Sequence, residues 1–245
     1  MASVSFVAMT WNRGGKRVEN LLASLLIHQV IPAAEFVIVD TSNDPAVAKD
    51  IARTCRRFDR ARLIQRPQDT LRKSWALNVG IQAAGAASRW VAVTDIDFMF
   101  GQHMTEMILQ LPATKRALLT VQPMRLPRDA DLEAPFGKLA WEALCMSATW
   151  WGRSGGPGAL QCAERGWWYR VHGYDERFTG GLGGPDSDLI ERALKDSISV
   201  VRFPFENSMA IHQWHEPSPL KGLTSHLMDV SRSVVANPDG WGDLC

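Results

Sequence analysis

Through the first hundred residues, apolar runs of strand length take turns with stretches whose apolar positions recur at helical spacing. "VSFVAMT" (4–10), "EFVIVD" (35–40), "ARLIQR" (61–66) and "RWVAVTDID" (89–97) are short and carry β-branched residues, and a helix-compatible segment follows each of the first three. This alternation predicts an α/β fold: a mixed, mostly parallel sheet flanked by helices and wound with right-handed crossovers. In open sheets of this class, ligands sit beyond the carboxyl ends of the strands. The polar residues that close the strands are therefore predicted to converge on one crevice. They are Thr10, Trp11, Asn12 and Arg13 after the first, Asp40, Thr41 and Ser42 after the second, and Asp95 and Asp97 at the fourth.

Beyond residue 112 the pattern loosens. "ALLTVQPMRL" (117–126) reads as a strand, "FGKLAWEALCMSA" (136–148) as a helix and "WWGRSGGPGAL" (150–160) as an irregular, mobile loop. "SVVRFPFEN" and "SMAIHQWH" read as late strands, and the tail after Pro217 is weakly patterned. With 245 residues, 46% apolar and 22% charged, the chain is expected to fold throughout as a single domain whose halves are residues 1–112 and 113–245.

The net charge of +1 gives no general electrostatic case for a polyanionic partner, and "RRFDRAR" reads as a solvated helix end. No window reaches the roughly 18–20 apolar residues of a membrane span, and the first residues lack a basic stretch followed by a long apolar core. A cytoplasmic location is the resulting expectation. Cys55, Cys145, Cys162 and Cys245 show no short metal-ligand spacing and are read as reduced thiols.

Candidate chemistry starts with Asp95 and Asp97. On an extended chain, positions i and i+2 point to one side, so both carboxylates can approach one ligand; the alternative is that they cap the turn and the next helix. Burial of either charge calls for a cation or donors nearby. A second stretch, "HGYDERFTGGLGGPDSDLIERALKD" (172–196), sets glycines and aspartates ahead of an amphipathic helix. Glycine is costly to order, so the cluster implies a required backbone shape, with a ligand as one purpose. Pro185, with Asp186 and Asp188 in the first turn, is equally a favourable helix start. In "HQWHEP", His212 and His215 form a spaced pair ahead of a turn. His28, His103, His172 and His226 lack such a setting.

These segments resemble glycosyltransferases of the GT-A fold, family 2-like at the start and galactosyltransferase-like toward the C-terminus. "VTDIDF" resembles their DxD signature, whose carboxylates hold a divalent metal and, through it, the diphosphate of a nucleotide sugar. "TWNR" resembles the opening loop, "VIVDTSND" the second-strand motif and "LRKSWALNVGIQAA" the helix with Asn before Gly. The resemblance implies that Asp40 contacts the base or ribose and that Thr10, Asn12 and Arg13 line the nucleoside pocket. Arg72 and Asn78 would lie near the nucleoside or the phosphates; for Asn78 the alternative is local bonding on a helix face.

"GYDERFTGGLGGPDSDL" resembles the galactosyltransferase-like "GFDERF…GWGGEDxDL" segment, with Gly183 and Gly184 in the glycine places. Asp186 takes the place of the base that deprotonates the acceptor hydroxyl, with Asp188 as a supporting ligand or cap. Pro185 departs from the usual Glu, so substrate preference does not carry over. By the same resemblance, Asp95, Asp97 and His215, with His212 as second choice, form the metal shell. Aspartate with imidazole suits Mn2+, with Mg2+ as a substitute. Trp151 and Arg153 are assigned to a lid that orders on the donor and completes the acceptor site.

The implied function is metal-dependent transfer of a sugar, from a UDP-sugar, to an acceptor hydroxyl with inversion. The first half would bind the donor and the second the acceptor. A saccharide, lipid-linked sugar, protein or modified nucleic acid all remain open as acceptors. Rival readings are a sugar-phosphate nucleotidyltransferase, echoed by "NRGGKR", and a non-catalytic nucleotide-sugar-binding protein, with Pro185 as its mark.

Overall fold

The first three helices show how sequence sets the frame. A computed structural model of the chain describes residues 3–111, 116–133, 135–136, 138–152, 156–203, 210–216, 218–220, 224, 227 and 233–243. β1 (Val4–Thr10) leads through a loop into α1 (Lys16–Leu26), whose apolar side carries Leu21, Leu22 and Leu25 into the core. β2 (Glu35–Asp40) is followed by α2 (Pro45–Cys55). There the Asp44 carboxylate caps the helix by accepting from Ala46 N (2.8 Å), and Pro45 supplies a helix-ready φ at the first turn. β3 (Ala61–Gln65) precedes α3 (Lys73–Ala83), which is buried from Lys73 to Ile81, and the alternation closes with β4 (Trp90–Val93).

Two sheets form among the described residues. β5 (Phe98–Phe100) follows β4 closely; α4 (Met104–Leu109), β6 (Ala117–Val121) and β7 (Pro123–Arg125) come next. Then come α5 (Lys138–Ser147), β8 (Thr149–Trp150), β9 (Gln161–Glu164), α6 (Arg165–Arg170), α7 (Pro185–Lys195), β10 (Ser199–Phe203) and β11 (Ala210–His212). The large sheet has the order β10-β6-β9-β4-β1-β2-β3 and is parallel except for β9, which runs antiparallel to both neighbours. The small sheet has the order β5-β11-β7-β8. Phe6, Leu21 and Phe36 are fully buried on one face of the large sheet, and Val7, Leu189 and Trp168 on the other. Each aliphatic or Phe side chain so buried contributes roughly 1.5–3 kcal/mol.

One predicted strand proves shorter than expected and another proves to be a pair. "RWVAVTDID" ends as a strand at Val93, and residues 94–97 carry the chain from the large sheet to β5 in the small one. "ALLTVQPMRL" breaks at Gln122, where β6 hands over to β7; Pro123, lacking an N–H, marks the change of sheet. β9 was not foreseen: "QCAE" has no β-branched residue, and its place between β4 and β6 is a tertiary effect. It also joins the two halves of the chain in one sheet. The predicted helix over 136–148 appears as α5, and the late strands as β10 and β11. Among the described residues, no helix is long and apolar enough to cross a membrane.

The final stretch has more structure than its pattern implied. Asn237 donates to the carbonyls of His172 and Tyr174 (both 2.6 Å) and accepts from Glu176 N (2.9 Å). Gly242 N donates to the Glu176 carboxylate (2.8 Å), and Trp241 is buried beside α3. Residues 237–242 thus bind down the turn that leads to the glycine cluster.

Candidate active site

Where the chain crosses between sheets, Asp97 meets the end of β11. His215 Nε2 stands 2.8 Å and His212 Nε2 3.7 Å from Asp97 Oδ2, while Arg13 Nη1 approaches the same oxygen at 3.4 Å. One ligand atom from each of Asp97, His212 and His215 falls within 4.8 Å of the others. The backbone holds this arrangement: Gln213 N donates to Asp97 O (2.8 Å) and Leu126 N to His212 O (3.0 Å). His215 Nδ1 lies 2.7 Å from Glu216 O; a carbonyl only accepts, so Nδ1 carries the proton and Nε2 faces the carboxylate. Trp151 (centroids 4.5 Å apart) and Phe98 (5.2 Å) wall the His212 ring.

The electrostatics suit exchange of protons for a cation. Burial alone would raise the Asp97 pKa, but the His212 and His215 imidazoles beside it outweigh that effect and hold the carboxyl far below the usual range. The hydrogen bond to Asp97 raises the His215 pKa against the opposing effect of burial. One carboxylate and two imidazoles are a mixed O/N donor set that a first-row divalent ion such as Mn2+ accepts, with positions left open for oxygen ligands.

Asp95 does not join that group. Because residues 94–97 are not extended strand, the rule that i and i+2 share a side does not apply, and Asp95 pairs instead with Lys73 Nζ (2.8 Å). Lys73 also reaches Asp186 Oδ2 (3.0 Å) in the first turn of α7. Enclosure by protein raises the Asp95 pKa and Lys73 lowers it, while Asp186 and Asp97 add to the rise; together they push it up to about 6. For Lys73, burial acts downward, but Asp186 and Asp95 prevail and keep the ammonium charged above the usual lysine range.

Asp186 is held from behind as well. Gln161 Nε2 donates to Asp186 O (2.7 Å), and Gln161 Oε1 accepts from the Tyr174 hydroxyl (2.7 Å). Gly184, just before α7, has φ +104, and a Cβ there would come within 2.3 Å of the Phe178 ring; both facts demand glycine. Gly183 also lies at positive φ, and its carbonyl accepts from Thr224 Oγ1. Gly158 backs the two carboxylates so closely that a Cβ would lie 2.6 Å from Asp95 Oδ2 and 3.1 Å from Asp186 Oδ1.

Asp188, expected as a supporting ligand, faces the interior. It is fully buried and paired with Arg192 Nε at 2.9 Å, while Arg192 Nη2 donates to Gly173 O (2.8 Å). Asn78 is likewise corrected: Nδ2 donates to Tyr174 O (2.9 Å) and the Glu176 carboxylate (2.8 Å), and Oδ1 accepts from Tyr174 N (2.8 Å). Its amide is fully buried and ties α3 to the turn at 174–176, so its bonds are long-range and not the local bonding on a helix face given as the alternative.

The loops that close β1 and β2 meet at Ser42. Asp40 Oδ1 accepts from Ser42 N (2.9 Å) and Oδ2 from Gln65 Nε2 (3.1 Å). Asn12, at φ +53, donates N–H to Ser42 Oγ (2.8 Å) and accepts through Oδ1 from Asn43 N and Asp44 N. Thr10 Oγ1 turns back to Arg13 O, and Arg72 stacks over Trp75 (4.8 Å) at the start of α3. Arg153 and His226 lie outside the described residues. Lys73, Gln161 and Gly158 were missed; their partners are distant in sequence, so no local pattern marks them.

A family model described as glycosyl transferase family 2 matches residues 5–152, and one described as the N-terminal domain of galactosyltransferase matches residues 151–216. No curated protein matches the chain. Among solved structures, the mannosyltransferase PcManGT from Pyrobaculum calidifontis, in complex with GDP-Man and Mn2+, aligns with a TM-score of 0.57 at 18% identity, covering 89% of this chain and 58% of that one. GalNAc-T7 with UDP, GalNAc and Mn2+ aligns with a TM-score of 0.61 at 13% identity, covering 89% of this chain and 45% of that one. The chain thus spans about half the length of these solved structures, and the likeness fixes its fold as GT-A.

Proposed function

Because the chain belongs to glycosyl transferase family 2, we propose that it transfers a sugar from a nucleotide sugar, a UDP-sugar by preference, to an acceptor hydroxyl with inversion. The observation that carries this reading is the gathering of Asp97, His212 and His215 beside the Lys73–Asp186 pair at the strand ends. Residues 1–112 serve the donor, and residues 113–245 supply the base and the acceptor surface.

Asp97, His212 and His215 would hold a divalent cation, Mn2+ or Mg2+. When bound, it supplies positive charge beside the diphosphate leaving group without proton transfer. Asp40 keeps lone pairs beyond those used by Ser42 and Gln65 and can accept from a pyrimidine imide N–H. Thr10, Asn12 and Arg13 would shape the wall around the nucleoside, and Arg72 would lie near the nucleoside or the phosphates.

A hydroxyl is a poor nucleophile at neutral pH, and a carboxylate within hydrogen-bonding reach takes its proton as attack proceeds. Asp186 has that role here. A base opposite the leaving group yields inversion at the anomeric carbon. Trp151, half-buried against His212 and Phe98, borders the acceptor side.

The test is release of nucleoside diphosphate from a panel of UDP- and GDP-sugars with Mn2+. Loss of that release in both Asp97→Ala and Asp186→Ala supports transfer. Consumption of sugar phosphate and nucleoside triphosphate instead would identify a nucleotidyltransferase, and donor binding without turnover a binding protein.

A further inference from the structure

Lys73 occupies a position that helix energetics disfavours. It is the first residue of α3, where the helix dipole repels a cation, and its side chain is only 8% exposed. A buried ammonium persists only when paired. Its partners are carboxylates from two other parts of the chain: Asp95 on the crossing between sheets, at 2.8 Å, and Asp186 on α7, at 3.0 Å. Without the ammonium, two like charges would stand together over the Cα of Gly158.

We propose that Lys73 is a positioning residue that holds Asp186 in its reacting orientation by bridging it to Asp95. This deepens the reading above and rests on Asp186 being the base. The bridge gives Asp186 a fixed position relative to the chain segment that also carries Asp97. Gln161 fixes the Asp186 backbone, and Lys73 fixes the carboxylate. The lysine touches neither acceptor nor leaving group in this role; it sets where the proton acceptor points.

The test uses nucleoside diphosphate release from the accepted nucleotide sugar with Mn2+, calorimetric binding of UDP or GDP with Mn2+, and thermal melting. The variants are Lys73→Met, Lys73→Arg, Asp186→Asn and the Lys73→Met/Asp186→Asn double. Lys73→Met is expected to lower kcat by about 10²-fold while KM and nucleotide binding stay within about threefold. Lys73→Arg keeps the cation and recovers kcat to within about tenfold of the parent. The double variant loses no more than Asp186→Asn alone, since both changes remove one function. In crystals of Lys73→Met, the Asp186 carboxylate turns away from Asp95.

Nucleotide binding that weakens in step with kcat/KM at constant kcat would make Lys73 a donor contact and overturn the proposal. So would losses that multiply in the double variant. Should Lys73→Met fail to fold, Lys73→Arg decides by the same split between kcat and binding. Parent-like kcat in Asp186→Asn removes the base itself. An inactive Asp186→Asn beside a fully active Lys73→Met removes only the bridge.

Discussion

Asp95 and Asp97 are two residues apart, yet they belong to clusters of opposite character. Around Asp97 stand two imidazoles and a half-exposed arginine, partners that can coordinate a metal or move aside for one. Around Asp95 stand Lys73 and a second carboxylate, Asp186, with the ammonium kept charged by its surroundings. The first cluster is built for exchange and the second for fixed geometry. A short link leaving the strand lets one motif serve both ends, by turning successive acidic side chains to different neighbours.

Removing Asp97 should have the largest effect. Asp97→Ala is expected to abolish Mn2+ binding measured by calorimetry and to lower nucleoside diphosphate release by at least about 10³-fold, because it deletes the one carboxylate that the described residues bring to the exchangeable cluster. Asp186→Asn should come next, lowering kcat by about 10²–10⁴-fold while Mn2+ and nucleotide binding persist. If it also abolished metal binding, the division between clusters would fail.

Acidity separates the clusters in a third way. The His215 pKa is raised, so its imidazole is protonated below that value and a metal must displace the proton. Mn2+ affinity should therefore fall as pH drops below the His215 pKa, by about tenfold per unit for each proton displaced, and level off above it. Titrations between pH 6 and 8 read this directly, and a flat profile would remove His215 from the metal shell. The smallest effect is expected for Trp151→Ala. Loss of the aromatic wall beside His212 costs about 0.5–1.5 kcal/mol, or roughly two- to tenfold in Mn2+ affinity, with the Lys73–Asp186 pair untouched.

The regular βα alternation from β1 to β4 was legible because β1, β2 and β4 are buried on both faces and each connection is a helix, so hydrophobic pattern and topology agree. Past residue 112, strands of two to five residues change sheets, and pairing depends on partners far along the chain. The site divides in the same manner. His212 and His215 stood out by spacing, and Asp97 by resemblance. Asp95 was misplaced because the two-residue period holds only on extended backbone. The Asp188–Arg192 pair was visible as an i, i+4 couple on a helix, the more telling signal for that residue than its nearness to Asp186. Nothing near Lys73 in the sequence announces its two carboxylate partners.

The hold of residues 237–242 on the 172–176 turn has a practical side. Shortening the chain from its C-terminal end to residue 232 would strip three hydrogen bonds by the Asn237 side chain and one from Gly242, leaving Glu176 and the carbonyls of His172 and Tyr174 short of partners. Such a trimmed protein should keep its large sheet yet present a slackened approach to Gly183 and Gly184. Expression designs for this chain therefore do best to retain the sequence through Asp243.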